Sequence, residues 1–306
     1  MATTTDAVLE VAQPSKRANW RATTRRSTWV GLVIEFARRR TLGAVGAVVI
    51  IVMILIALLA GIIAPYDPLE TSFLDQLMPP SPQNWLGTDS FGRDVLSRLI
   101  YGSRTALKIG FGAAFVGASI GAVLGVTSAY FGGKIDLLLE RLMDILISFP
   151  LLILAVAVVT ALGNNDTNVI IAITIPIIPR VARVIRSSAL SIRQMPFVEA
   201  ARGLGASHAR LVVRHMLPNV MAPYLILVTA FLGQAMLSEA SLSFLGLGVA
   251  EPTPSWGLML RGASVQFVER APWLAIAPGV ALSMAVFAFN LLGDSLRDAL
   301  DPRLRL

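Results

Sequence analysis

The chain contains no cysteine. Disulfides, thiolate metal sites and cysteine nucleophiles are excluded together, and the redox compartment is left undetermined. Histidine is almost as scarce. His208 and His215 stand seven apart on a polar segment without carboxylate or cysteine companions, a setting that favours solvent-facing or structural roles over metal ligation. A phosphate loop is missing too: Gly132-Gly133-Lys134 lacks the earlier glycine and the following Ser or Thr, so ATP is not bound by that route. Gly117-Ala118-Ser119-Ile120-Gly121 has the spelling of a serine nucleophile elbow, but it lies inside an apolar run with no strand-to-helix turn and no nearby His. The last shortage is charge. Charged residues make up 15% of the 306 positions and apolar residues 55%, where globular domains carry roughly 25% charge, so the chain reads as an integral membrane protein.

What is present is a series of long uncharged runs. Residues 42–64, 109–133, 145–165, 216–238 and 271–293 each reach the ~20 residues that cross ~30 Å of hydrocarbon at about 1.5 Å per residue. A sixth run, 167–179, is too short alone, but Arg180, Arg183 and Arg186 follow at intervals of three and let a helix continue while their guanidinium groups snorkel to one interface. Six spans with the N-terminus inside put twenty basic residues on the inner side and six on the outer. Dropping the fourth span would leave fourteen outside and twelve inside, erasing the asymmetry that sets orientation. The expectation is an all-α, polytopic protein of six transmembrane helices with both termini cytoplasmic. The net charge of +7 then belongs to an inner membrane face, and no nucleic acid is expected. Gly117, Gly121 and Gly125, four apart, form a helix-packing face, and Pro176 and Pro179 should bend the fourth span.

Residues 1–40 are expected to be a cytoplasmic N-terminal segment. Within it Trp29, Val33 and Phe36 beside Arg38, Arg39 and Arg40 suit either an interfacial helix or a plain extension of the first span. The first apolar run is too long for the core of a signal peptide and is read as a retained span. Residues 41–306 are expected to form one transmembrane domain. Its outer loop, 65–108, contains Gly87-Thr88-Asp89-Ser90-Phe91-Gly92-Arg93-Asp94, for which two compatible readings stand. In one, Asp89 or Ser90 caps a short helix while Arg93, Asp94 and Arg98 pair; in the other, Asp89, Arg93 and Asp94 belong to a docking surface for an external partner. Glu239, near the outer end of the fifth span, is costly unless paired, protonated or facing water. It is either a pathway or gate residue, or a folding device held by Ser238, Ser241 and Ser243. Trp256 and Trp273 are expected as membrane-interface anchors.

The inner segment 190–219 breaks the apolar pattern with Pro196-Phe197-Val198-Glu199-Ala200-Ala201-Arg202-Gly203-Leu204-Gly205 and, twelve residues on, Leu217-Pro218-Asn219. Phe197, Ala200, Ala201 and Leu204 fall on one helical face. Gly205 is suited to the left-handed turn that closes a helix, Ser207 is a good cap for a second helix running to Met216, and Pro218 should break the chain again. The segment resembles the EAA loop through which membrane subunits of ABC importers engage their ATPases.

The resemblance extends from about residue 42 to the C-terminus. Arg214-His215-Met216-Leu217-Pro218-Asn219, Glu239-Ala240-Ser241-Leu242-Ser243-Phe244-Leu245-Gly246, Pro254-Ser255-Trp256-Gly257 and Gly293-Asp294-Ser295-Leu296-Arg297-Asp298 are similar to the second permease subunit of dipeptide, oligopeptide and nickel importers. It implies a type I ABC importer transmembrane domain in a bacterial or archaeal plasma membrane, non-catalytic and without a cofactor. It also implies a homologous permease as heterodimer partner, two cytoplasmic ATPase subunits and an extracytoplasmic solute-binding protein. Coupling would fall to Phe197, Glu199, Ala200, Ala201, Arg202, Gly203, Leu204 and Gly205. Cargo would be peptides, with nickel chelates, glutathione or opine-like solutes as the alternative. A secondary transporter is the competing class, but the paired charges or broken helices it usually shows in two corresponding halves are not seen.

Overall fold

Small residues on one side of a helix and large aliphatics on the other are what a span needs when it meets protein on one face and lipid on the other. Helix α1 (Thr41–Ile63) has that pattern: Gly43, Gly46, Ile50, Met53, Ala57 and Ala60 are buried, whereas Val48, Leu55, Leu58 and Ile62 are exposed. The computed structural model describes residue 38 and residues 40–264 and 269–300, so the expectations for the N-terminal segment lie almost wholly outside the described residues. After α1 come α2 (Val95–Phe131), α3 (Gly133–Ser148), α4 (Leu151–Leu162), α5 (Asp166–Arg193), α6 (Pro196–Gly203), α7 (His208–Phe244), α8 (Trp256–Ser264) and α9 (Trp273–Leu300). No strand occurs among the described residues.

Five of these helices, α1, α2, α5, α7 and α9, are long and apolar enough to cross a membrane unaided. The sixth crossing differs from the continuous 145–165 expected from hydropathy. The chain turns by 92° between α3 and α4. Pro150 is the cause: it cannot donate to the helical ladder and it holds Phe149 extended, at φ −89° and ψ 133°. Twelve residues of α4 reach only about 18 Å, short of ~30 Å of hydrocarbon, so a sixth span would need α3 and α4 together as a bent pair. Pro176 and Pro179, by contrast, lie inside α5, which stays helical through both.

Helices α2 and α5 approach each other backbone to backbone. A Cβ on Gly121 would lie 2.7 Å from the Ile178 carbonyl oxygen, and one on Gly125 only 2.5 Å from that of Ala182. No side chain fits there, as the four-residue glycine spacing anticipates. Helix α9 packs on α1, where a Cβ on Gly46 would come 2.6 Å from the Ala288 oxygen, and the Arg40 guanidinium pairs with Asp298 at the same end.

The arginines of α5 do more than reach an interface. Arg186 donates to both oxygens of Asp136, at 2.7 and 2.6 Å, and lies 3.5 Å from Glu140, while Arg183 pairs with Asp144. Asp136, Glu140 and Asp144 recur every four residues and so share one face of α3, which they pin to α5. Half-buried charge pairs with two parallel hydrogen bonds are the stronger kind.

The loop between α1 and α2 is ordered by its own polar groups. Asp94, rather than Asp89 or Ser90, caps α2: its Oδ2 accepts from the Ser97 amide at 2.7 Å and its Oδ1 from the Asn84 side chain at 2.9 Å. Such a cap contributes about 1 kcal/mol. Asp89 accepts from Arg93 Nε at 2.7 Å and lies 3.6 Å from Arg98 Nε. Arg98 also donates to the Pro68 carbonyl. Trp256, expected as an interface anchor, is instead buried, with its indole donating 2.9 Å to the Leu99 carbonyl. An amphipathic ring finds a backbone acceptor inside the bundle because Gly102 leaves room for it.

Candidate functional site: the inner loop

Helix α6 is built from local signals. Met195 is extended and Pro196 opens the helix, where its missing N–H costs nothing. Closure uses Gly205, at φ +78°, with the Ala206 amide reaching the Ala201 carbonyl at 3.1 Å and the Gly205 amide that of Arg202 at 3.0 Å. These paired bonds satisfy carbonyls the helix end would otherwise leave open. Ser207 then caps the next helix, accepting from the Arg210 amide at 3.4 Å.

The two arms of the loop are the C-terminal end of α5 and the N-terminal end of α7. The break expected at Pro218 is not a break. Instead, α7 accommodates the proline by loosening into a π turn over Leu211–Met216 and tightening into a 3-10 turn over Leu217–Val220 before resuming as α-helix at Met221.

One side chain of α6 is buried, Val198, with no exposed area. It anchors the helix to the bundle. Ala201 is half-buried, whereas Glu199, Ala200, Arg202, Gly203 and Gly205 are exposed. Phe197 is 40% and Leu204 89% exposed. Glu199 and Arg202, three apart, form no ion pair. The loop thus places Phe197, Glu199, Ala200, Ala201, Arg202 and Gly203 on one short helix, with Leu204 and Gly205 in the turn that closes it. Composition alone did not single out Val198, which looks like any other apolar residue in its window.

Glu239 is about 50 Å away by helix rise, at the other end of α7. It is 1% exposed, and its Oε1 accepts from the hydroxyls of Ser243, at 2.7 Å, and Ser255, at 2.8 Å. Of the three serines expected around it, Ser243 is a partner, while Ser238 and Ser241 donate back to the helix carbonyls of Gln234 and Leu237. Ser255 was missed because it comes from another element, the turn before α8. Asp89, Arg93 and Asp94 lie in the loop network described above, with Arg93 and Asp94 buried. Among the described residues no group of three or more His, Asp or Glu side chains is arranged to hold a metal ion.

Comparison with known proteins converges on one family. The model of the binding-protein-dependent transport system inner membrane component matches residues 117–306, and that of the N-terminal transmembrane domain of oligopeptide transport permease C matches residues 24–80. The chain is 40% identical over 268 residues to the dipeptide transport system permease protein DppC of Alkalihalophilus pseudofirmus, covering 88% of each chain. It is 44% identical over 269 residues to the glutathione transport system permease protein GsiD of Escherichia coli, again covering 88% of each. Among solved structures, the inward-facing MetNI methionine ABC transporter superposes with a TM-score of 0.55 at 20% identity, covering 67% of this chain and 97% of that one. At that identity the likeness is one of fold. A bundle of five spanning helices and a bent pair, the exposed inner-loop helix and these matches together make the chain a member of the binding-protein-dependent transport system inner membrane component family, a multi-pass permease subunit of an ABC importer.

Proposed function

We propose that the chain forms one half of a translocation pathway for short peptides, that a homologous permease forms the other half, and that α6 seats on a cytoplasmic ATPase subunit. The observation that carries this reading is α6 itself: eight residues fixed at both ends, held by one buried valine, with Phe197 and Leu204 left uncovered. Nothing in the fold of this chain needs that exposed face, whereas a partner that pushes on it gains purchase on two long helices at once. Two such ATPases hydrolyse ATP, and an extracytoplasmic binding protein brings solute to the outer side. Their closing moves α6 as a rigid element, and α5 and α7 rock so that a central cavity alternates its access.

Residues 41–306 act as the transmembrane domain, and both termini face the cytoplasm, as the twenty-to-six distribution of basic residues favours. Glu239 serves the outer gate by fastening the end of α7 to Ser255. Asp89, Arg93 and Asp94 hold the shape of the outer loop on which the binding protein docks. The peptidic character of the cargo is taken from the relatives, whose names give dipeptide and glutathione.

Uptake of labelled dipeptide and of labelled glutathione into membrane vesicles tests the proposal. Uptake should require the companion permease, the ATPases and the binding protein, and vanadate should abolish it. Concentrative uptake by this chain alone, driven by a proton gradient, would replace the proposal with the secondary-transporter reading.

A further inference from the structure

The two histidines have no part in the account so far, yet they bracket the arm that leads from α6 into α7. At one end, the His215 ring lies 6.3 Å, centroid to centroid, from the Phe197 ring of α6. At the other, His208 Nδ1 shares a hydrogen bond with the hydroxyl of Tyr130 in the last turn of α2. The Tyr130 ring is buried and meets the imidazole edge-on at 5.6 Å, with Phe131 behind it at 6.2 Å. Among the described residues this is the one side-chain hydrogen bond joining the arm 207–220 to another helix, since those of Ser207 and Asn219 stay within the arm.

The same end of α2 is made fast elsewhere. Arg193 of α5 donates to the Ala129 carbonyl at 2.9 Å, and the Ser128 hydroxyl donates to Asp136 of α3. The inner terminus of α2 therefore gathers α3, α5 and the arm within three consecutive residues. An apolar contact is non-directional and lets groups slide past one another, whereas a hydrogen bond has a directed minimum that fixes orientation as well as separation. Between His208 and the rest of α7 lies the π turn, the least regular part of that helix.

We propose that the Tyr130–His208 hydrogen bond is the strut by which displacement of α6 is delivered to α2, and that both side chains are positioning residues for coupling. The inference rests on the reading of α6 as the ATPase-contacting helix. With the strut in place, movement of the loop reaches α2 from the α7 side as well as through α5 and the glycine seam. Without it, the π turn takes up the movement on the α7 side and α2 is driven through α5 alone.

The natural lack of cysteine permits a direct test in the assembled transporter. Spin labels at Phe115→Cys on α2 and Phe287→Cys on α9, both exposed positions, report the separation of the two helices before and after vanadate trapping. In the otherwise unsubstituted complex, trapping should shift the distance distribution. Tyr130→Phe and His208→Phe should each trap vanadate normally while the ratio of shifted to unshifted populations falls about fivefold, the worth of one ordinary hydrogen bond. The double variant should lose no more than either single, and His208→Gln, which keeps a polar partner for the hydroxyl, should regain most of the shift. A full shift in both single variants, additive losses in the double, or trapping with no shift in the unsubstituted complex would overturn the proposal. Absence of trapping in the unsubstituted complex would remove the coupling-helix reading beneath it and the strut with it.

Discussion

Gly205 is the residue on which the aim of α6 depends. Its φ is +78° and a Cβ there would meet nothing within 4 Å, so any penalty for a side chain is one of backbone conformation and not of packing. Gly205→Val should cost about 1–2 kcal/mol and tilt α6 while leaving every membrane-embedded contact in place. Glu199→Lys acts differently. Glu199 has no ion-pair partner, so the helix loses only the favourable placement of an acid in its first turn, about 0.3–1 kcal/mol, and a larger loss of ATPase binding would be felt at the partner surface. ATPase pull-down and vesicle uptake, matched for permease and compared with Gln194→Ala, check both. Full binding and uptake by both variants would detach α6 from coupling. Gly205 and Ser207 were legible in the sequence because turn and cap chemistry is local. Val198 and Ser255 were not, since burial and a partner sixteen residues from Glu239 are decided by tertiary packing.

At the scale of elements, the α2–α5 seam is the feature best foreseen. Glycine at every fourth position means close approach only if the facing helix presents backbone, and the Ile178 and Ala182 carbonyls do so. Gly125→Val should therefore force the helices apart and destabilise the protein by about 1–3 kcal/mol, lowering the midpoint of thermal unfolding in detergent. Gly262→Ala in α8, with nothing within 4 Å of the added Cβ, should instead leave the midpoint unchanged or raise it slightly. Equal midpoints for the two variants would contradict the seam. The third crossing was less legible. Its run of apolar residues concealed Phe149-Pro150, a dipeptide that favours an extended residue before the ring and so a helix end. The acidic face of α3 was written in the spacing of Asp136, Glu140 and Asp144, but its partners Arg183 and Arg186 had been assigned to the membrane interface, because hydropathy treats each run separately.

For the whole molecule, orientation is the property that sequence charge predicts and that labelling can check. Single cysteines introduced into this cysteine-free chain at Gln76 and Glu269, both exposed, should react with an impermeant thiol reagent added to intact cells. Cysteines at Ser207 and Arg297, exposed at the other end of the bundle, should react only after permeabilisation. Labelling at Ser207 in intact cells would invert the topology and put α6 out of reach of any cytoplasmic ATPase.

Helix α7 reaches from His208, through the π turn and the 3-10 turn, to Phe244, past the buried Glu239. A rod that pivots at a point between its ends moves those ends in opposite senses. On the proposed reading, with the Tyr130–His208 bond keeping the π turn from giving, the contacts made by Ser255 and by Tyr130 are terminals of one see-saw, and a tilt that relaxes one loads the other. Mutual exclusion between openings at the two ends of the bundle would then need no separate lock: it would be a property of having a single beam reach both doors.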